Sequence, residues 1–276
     1  MTDQNDVFDR GDAERIYREA VAHLTRLARK GAERLPTLVH EQRGAIPTVR
    51  LRDRCLDGVF ALKLIQLVGN LKSGHLLVRH GHYFEWDMVH RLIDETLDDL
   101  EFLARGEADD WTEVHDRYLD ALFAEDYNYD GSVVQEPVRA PQRRQITDYL
   151  RSATDDGNEE ELAAVTRNIA RLTNASAHGR VSGILRGYYE AGEQRFWLEG
   201  RRSSVDDALE RLSFHLVAAR TTASIGHLIC ARWWGDAFTR KTVAIAQRLE
   251  RALDPMRNAV DRFLASAGDP PASRRQ

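Results

Sequence analysis

Helical periodicity runs through most of this sequence and restricts the fold more than any other feature. Residues 12–31 place apolar side chains at three- and four-residue spacing on one face and charges on the other, and they end at a glycine. Comparable patterns follow Pro47 and then cover residues 73–105, 109–124, 142–153, 158–178, 204–234 and 236–266. This succession predicts an all-α fold, a helical bundle.

One stretch departs from the helical pattern. After Gly179, aromatic and β-branched residues flank a central AGEQ, which predicts one small β-hairpin near residues 181–199. We therefore expect an N-terminal helical segment at 1–70 packed on the core, a helical domain at 71–266 that contains the hairpin, and a disordered tail at 267–276.

Composition and charge favour a soluble, cytoplasmic protein. The chain is 42% hydrophobic and 30% charged with a net charge of −5, a balance that does not suit coating nucleic acid along its length. Cys55 and Cys230 stand far apart and form no metal-binding pair, as expected in a reducing compartment. The acidic N-terminus differs from a secretory signal, and no apolar run approaches the roughly 18 residues of a membrane span.

The stretch RLTNASAHGR, which begins at Arg171, is the strongest candidate for chemistry. At about 100° per residue, the side chains of Arg167, Arg171, Asn174 and His178 fall within an arc of about 60° on one helix. Such a row is also typical of the solvated side of an amphipathic helix, whose dipole favours a histidine in the last turn. Against that interpretation, the only acid in the arc is Glu160, whereas a solvated face in an acidic protein more often mixes both charges.

The same residues resemble the motif of the HEPN superfamily of all-α domains. In that motif an arginine precedes a histidine near the end of a helix, with four to six residues between them. Here Arg171 and His178 enclose the six residues LTNASA. The resemblance extends over about residues 75–235 and implies a HEPN-like helical domain.

A second stretch, VHRLIDETLDDLEFLA at residues 89–104, resembles the R-x-x-x-E helix of an uncharacterised bacterial branch of HEPN-like proteins. In that branch a histidine–glycine pair follows later in the chain, and Arg91 with Glu95, followed by His178 and Gly179, has this order. An arginine and a glutamate at this spacing are also an ordinary surface salt bridge on a helix.

The resemblance implies an RNA-cleaving nuclease that uses no metal and no cofactor. By it, His178 would handle the proton of the 2′-hydroxyl or of the leaving group, since an imidazole titrates near neutrality. Arg171 would clamp the phosphate and stabilise the charge that develops on it. Asn174 would orient the phosphate or the imidazole, and Arg167 or Arg180 would attract the substrate electrostatically. By the resemblance Arg91 and Glu95 are also substrate-binding candidates.

The resemblance also implies a homodimer, because HEPN sites form where two such helices meet. A stripe of small residues beside the polar arc suits close helix pairing: Ala163, Ala170 and Ala177. The expected partners are RNA, a second copy of the chain and a partner protein such as an antitoxin.

Two further patterns have competing interpretations. Four histidines lie within residues 75–90, but no E-x-x-H pair or second ligand set accompanies them, so satisfied or partly buried histidines are favoured over a metal site. The hairpin LRGYYEAGEQRFWLEGRR could stack bases beside phosphate-binding arginines or simply pack on helices, and packing is favoured.

The function predicted from the sequence is a metal-independent, HEPN-type nuclease of a bacterial toxin or antiphage defence system. The alternative is a non-catalytic helical module that uses the same polar face to bind a partner protein or a nucleotide. A metal-dependent helical enzyme is the third and weakest hypothesis.

Overall fold

The computed structural model describes residues 10–108, 111–124, 132, 134, 138–152, 189–190, 195–196 and 204–258. The described helices are α1 Arg10–Ala32, α2 Leu56–Arg79, α3 Tyr83–Ala108, α4 Glu113–Leu122, α5 Arg143–Ser152, α6 Ser204–Ile225, α7 Ala231–Trp234 and α8 Asp236–Arg251. A π-helical segment, Gly226–Cys230, joins α6 to α7. Short strands form two antiparallel hairpins, β1 Leu38–Arg43 with β2 Ile46–Leu51, and β3 Tyr189–Glu190 with β4 Arg195–Phe196.

The prediction of an all-α fold with a small β-hairpin is confirmed. Strands β3 and β4 lie within the predicted hairpin at 181–199, where Tyr189 is opposite Phe196. The predicted helix at 158–178 and the predicted tail at 267–276 lie outside the described residues. No helix among those described is both long and apolar enough to cross a membrane.

The β1–β2 hairpin was not predicted, and the helix expected to follow Pro47 begins only at Leu56. Pro47 lies within β2, opposite Gln42, and the turn between the strands contains Gly44 with a φ of 58°. Arg50 stabilises the pairing by donating hydrogen bonds of 2.7 and 3.1 Å to Oε1 of Glu41. Because the two strands pair with each other, residues Ile46–Leu51 form a strand although their apolar spacing continues the helical pattern that follows.

The helical pattern predicted over residues 73–105 is two helices rather than one. Helix α2 ends at Arg79, and Gly81 has a φ of 78°. The His82 N–H donates to the Leu77 carbonyl at 2.9 Å and the Gly81 N–H donates to the Val78 carbonyl at 3.2 Å, which is the Schellman pattern of a helix end. The histidine-rich stretch is therefore divided between two helices.

The helix predicted at 204–234 is interrupted by the π segment. Helix α8 ends at Arg251, residues 254–258 are helical again after a short turn, and the rest of the helix predicted over 236–266 lies outside the described residues. The Ala231 N–H donates to the Gly226 carbonyl five residues earlier, the spacing of a π-helix. Gly226 lies close to α8, since a Cβ at this position would be 3.0 Å from Cγ2 of Val243. The π segment thus forms at the point where α8 packs closely against Gly226.

The chain divides into two compact units, each with its own aromatic core. Unit 1 comprises Met1–Leu24, Gly69–Ile93 and Glu161–Gln276, and unit 2 comprises Thr25–Val68 and Asp94–Glu160. In unit 1, Trp86 packs edge-on against Phe214, with ring centroids 5.1 Å apart. In unit 2, Phe102 stacks on His115 at 3.8 Å, and the His115 Nε2–H donates to the Phe102 carbonyl at 3.1 Å.

Candidate functional site

Unit 1 contains a pocket of about 270 Å³ in which ionisable side chains from three helices meet. We name it the Glu14 pocket. Its lining residues are Ala13, Glu14, Arg18, His75, Arg79, Arg211, His215 and Met256. Helices α1, α2 and α6 supply the ionisable groups, and Met256, which follows α8, supplies part of the apolar wall.

Each of the three helices contributes an arginine and a second ionisable residue four positions away. The pairs are Glu14 with Arg18, His75 with Arg79, and Arg211 with His215. Residues at this spacing lie on the same face of a helix. The core residues beside them, among them Tyr17 on α1 and Phe214 on α6, hold those faces toward one another within unit 1.

The Glu14 carboxylate lies between the two imidazoles. Its Oε1 is 3.4 Å from Nε2 of His75, and its Oε2 is 3.8 Å from Nε2 of His215. The pKa of Glu14 is lowered, chiefly by the His215 imidazole, and the charges of His75 and Arg18 add to this effect while burial opposes it. Glu14 is therefore an ionised carboxylate at neutral pH, able to accept hydrogen bonds but not to donate them.

His215 is held in one orientation and is only 7% exposed. Its Nδ1 lies 2.7 Å from the Arg211 carbonyl oxygen, and because a carbonyl only accepts, Nδ1 carries a proton and donates it. Its Nε2 is buried and has no hydrogen-bond partner within the described part of the chain. Oε2 of Glu14 lies 3.8 Å from Nε2, which is beyond hydrogen-bonding distance.

His75 has the properties of a neutral proton acceptor. Its ring stacks on Tyr17, with centroids 4.8 Å apart and planes 24° from parallel. Burial is the main cause that lowers the pKa of His75, and nearby arginines lower it further, against the opposing charge of Glu14. Its imidazole is therefore mostly uncharged at pH 7, the form that can take a proton from a substrate hydroxyl.

Tyr17 supports the pocket without offering a reactive group. It is 3% exposed, and its hydroxyl donates a 3.0 Å hydrogen bond to the Leu71 carbonyl. Burial raises the pKa of Tyr17 well above its ordinary value, so the phenol stays protonated. The ring thus serves as a fixed surface on which His75 stacks.

The charge of the Glu14 pocket suits an anion rather than a cation. Three arginines line it, against a single carboxylate. Within the described residues, no group of three His, Cys, Asp or Glu side chains is arranged to hold a metal ion. Guanidinium groups match phosphate and carboxylate oxygens geometrically, so an oxyanion is the ligand class that this lining favours.

Most of the residues predicted to form the site cannot be compared with this pocket. Arg167, Arg171, Asn174, His178 and Arg180 lie outside the described residues, as does the alanine stripe. Their predicted roles stay predictions.

Arg91 and Glu95 both lie on α3 and are partly buried. Neither lines the Glu14 pocket. The backbone carbonyl of Glu95 accepts a 2.9 Å hydrogen bond from Nη2 of Arg143. This hydrogen bond joins α5 to α3 within unit 2, so the backbone of Glu95 takes part in helix packing.

Reasoning from the sequence did not find the Glu14 pocket. The sequence patterns predict satisfied or partly buried histidines for the stretch that contains His75, and they make neither Glu14 nor His215 a candidate. The available signal was the recurrence of an arginine four residues from a histidine or a glutamate on three separate helices. Each pair alone is an everyday surface pattern, and only the packing of the three helices makes it a cluster.

Similarity to known proteins does not assign this chain to a family. No protein-family model matches it, and no curated protein or solved structure is significantly similar to it.

Proposed function

We propose that this protein is a metal-independent, RNA-cleaving nuclease of a bacterial toxin or antiphage defence system. The observation that carries the proposal is the Glu14 pocket, where two imidazoles face one carboxylate among three arginines. Imidazoles that move protons and guanidiniums that neutralise phosphate are the groups that such a reaction needs when no metal takes part.

In the proposed reaction a neutral imidazole, for which His75 is suited, takes the proton of a ribose 2′-hydroxyl. The 2′-oxygen attacks the adjacent phosphorus, so a 2′-O–P bond forms while the P–O5′ bond breaks. The second imidazole of the pocket, that of His215, whose Nε2 faces the Glu14 carboxylate, gives a proton to the departing 5′-oxygen. The products are a 2′,3′-cyclic phosphate and a 5′-hydroxyl, and neither oxidant nor metal is consumed.

A second set of residues supports the same function independently. The HEPN resemblance assigns the proton transfer to His178 and the phosphate clamp to Arg171, with Asn174, Arg167 and Arg180 in supporting roles. In that version the site is completed by a second copy of the chain. The two sets predict different sensitive histidines, so mutation separates them.

The test is cleavage of total RNA by purified protein with EDTA present throughout. We would compare the wild type with His178→Ala and His215→Asn, the latter keeping a donor for the Arg211 carbonyl while removing Nε2. His40→Ala is the matched control, because His40 is exposed on β1 and does not line the pocket. Loss of a general acid or base should reduce the cleavage rate by about 100-fold or more.

Cleavage that survives EDTA and is lost in only one of the two variants would assign the reaction to that histidine. No cleavage by folded wild-type protein would refute the nuclease and favour the alternative, a non-catalytic module that binds a nucleotide or a partner protein.

A further inference from the structure

We infer that the Glu14 pocket binds a single phosphate monoester group, and that Glu14 occupies the place beside His215 that this phosphate takes. The inference rests on the proposed function only for the choice of RNA and nucleotides as the compounds that carry the phosphate; the phosphate monoester itself is not a product of the proposed cleavage. It is tested by binding alone, so its failure and the failure of the nuclease proposal are distinguishable.

The lining selects for phosphate by charge and by shape. Arg18, Arg79 and Arg211 line the pocket from three different helices. A terminal phosphate carries up to two negative charges and three unesterified oxygens, which can meet several guanidiniums at once. At about 270 Å³ the pocket has room for a phosphate group and part of its ester.

Glu14 is the one feature of the pocket that opposes an anion. It is ionised, and it lies over Nε2 of His215, which is buried and makes no hydrogen bond within the described residues. A phosphate cannot approach that nitrogen while the carboxylate remains there, because the two groups would repel each other at short range.

The carboxylate is able to move aside. The Glu14 side chain is 31% exposed, and its contact with Arg18 is a loose one, with 3.8 Å between Nε and Oε1. When Glu14 turns toward solvent, Nε2 of His215 is uncovered and Arg18 gains a phosphate oxygen in place of the carboxylate. Glu14 thus acts as an internal competitor for the anion.

This role has an unusual consequence for mutation. Removing the charge of a residue that lines a binding site usually weakens binding, whereas Glu14→Gln should tighten it. We expect the dissociation constant for inorganic phosphate and for AMP to fall by about tenfold, the effect of removing one nearby like charge that is partly screened by solvent. Arg79→Gln should raise the same constants by about tenfold, because a charge-assisted hydrogen bond is lost.

The experiment is isothermal titration calorimetry in EDTA with four probes. Two are inorganic phosphate and AMP, and the other two are forms of one oligoribonucleotide, one with a 5′-phosphate and one with a 5′-hydroxyl. The variants are Glu14→Gln, Glu14→Ala as a second form of the same change, Arg79→Gln, and Arg220→Gln as the control. Arg220 is exposed on α6 and does not line the pocket. Circular dichroism establishes that each variant is folded.

Tighter binding by either Glu14 variant and weaker binding by Arg79→Gln would support the inference. Preference for the phosphorylated oligoribonucleotide would identify RNA ends as the source, whereas binding of phosphate and AMP alone would identify free phosphate compounds. Three results would overturn the inference, whether or not the protein cleaves RNA. The first is that no probe binds. The second is that the 5′-hydroxyl and 5′-phosphate oligoribonucleotides bind equally well, and the third is that folded Glu14 variants bind phosphate more weakly than the wild type.

Discussion

At the scale of single residues, the hydrogen bonding of its histidines distinguishes the Glu14 pocket from the rest of unit 1. His23 is also buried, yet its Nε2 lies 2.9 Å from the Thr242 hydroxyl, so its hydrogen bonding is satisfied within unit 1. His75 and His215 instead face a carboxylate that bonds fully to neither. A buried imidazole nitrogen without a bonded partner, as Nε2 of His215 is within the described residues, is costly to keep, which is the usual reason to look for a function.

The lowered pKa of His75 predicts that the protein loses stability in mild acid. A histidine whose pKa is lower in the folded than in the unfolded state binds fewer protons when folded, so its contribution is present above the unfolded pKa and is lost as pH falls. The free energy of unfolding should therefore be smaller at about pH 5.5 than at about pH 7.5, on either side of the ordinary histidine pKa of about 6.5.

Urea unfolding at the two pH values measures this difference. In His75→Gln the difference should shrink, because the titrating group is gone, while His40→Ala should behave like the wild type. Glu14 acts in the same direction at lower pH, since its pKa is lowered as well. A difference that is unchanged in His75→Gln would show that another group causes the acid sensitivity.

At the scale of elements, helix α2 carries two glycines in opposite situations. A Cβ on Gly74 would lie 2.5 Å from Cζ3 and 2.8 Å from Cε3 of Trp86, a side chain that is fully buried. A Cβ on Gly69 would meet nothing within 4 Å. The first glycine permits close packing of α2 on α3 within unit 1, and the second has no such role.

Alanine at these two positions should therefore have effects of opposite sign. Gly74→Ala should lower the free energy of unfolding by about 1–3 kcal/mol, because the core must shift to admit the methyl group. Gly69→Ala should raise it by about 0.5–1 kcal/mol, because alanine favours the helix and nothing is displaced. Chemical denaturation of the pair tests this, and equal effects would contradict the packing described for Trp86.

Sequence patterns predicted the helices better than their ends. The period of α4 and α5 was sufficient to place both helices, because that signal is local. The β1–β2 hairpin was missed because its stability depends on pairing between strands, such as Arg50 with Glu41, which a helical spacing does not reveal. The break at Gly81 was missed because the apolar spacing continues on both sides of it.

At the scale of the whole molecule, the site predicted at His178 depends on the assembly of two chains. The HEPN resemblance predicts a homodimer through the stripe of Ala163, Ala170 and Ala177. A charge within a close helix contact would be buried without a partner, so Ala170→Glu should produce a monomer. Light scattering after gel filtration measures the mass, with Ala32→Glu at the exposed end of α1 as the control.

A wild-type monomer, or a dimer unaffected by Ala170→Glu, would count against a site shared between copies. It would leave the Glu14 pocket untouched, since every residue that lines it belongs to unit 1 of one chain. That pocket could not be predicted from the sequence. Glu14, His75 and His215 are far apart along the chain, and no local period links the three helices that bring them together.

The π segment has a consequence for chain length. Its carbonyls accept from N–H groups five residues on, so it accommodates one residue more than a regular helix over the same span. A version of the chain that is one residue shorter within Gly226–Cys230 can return to α-helical bonding while α6 and α8 keep their register. Length variation of a single residue is therefore tolerable at this point, in the middle of an otherwise tightly packed helical region.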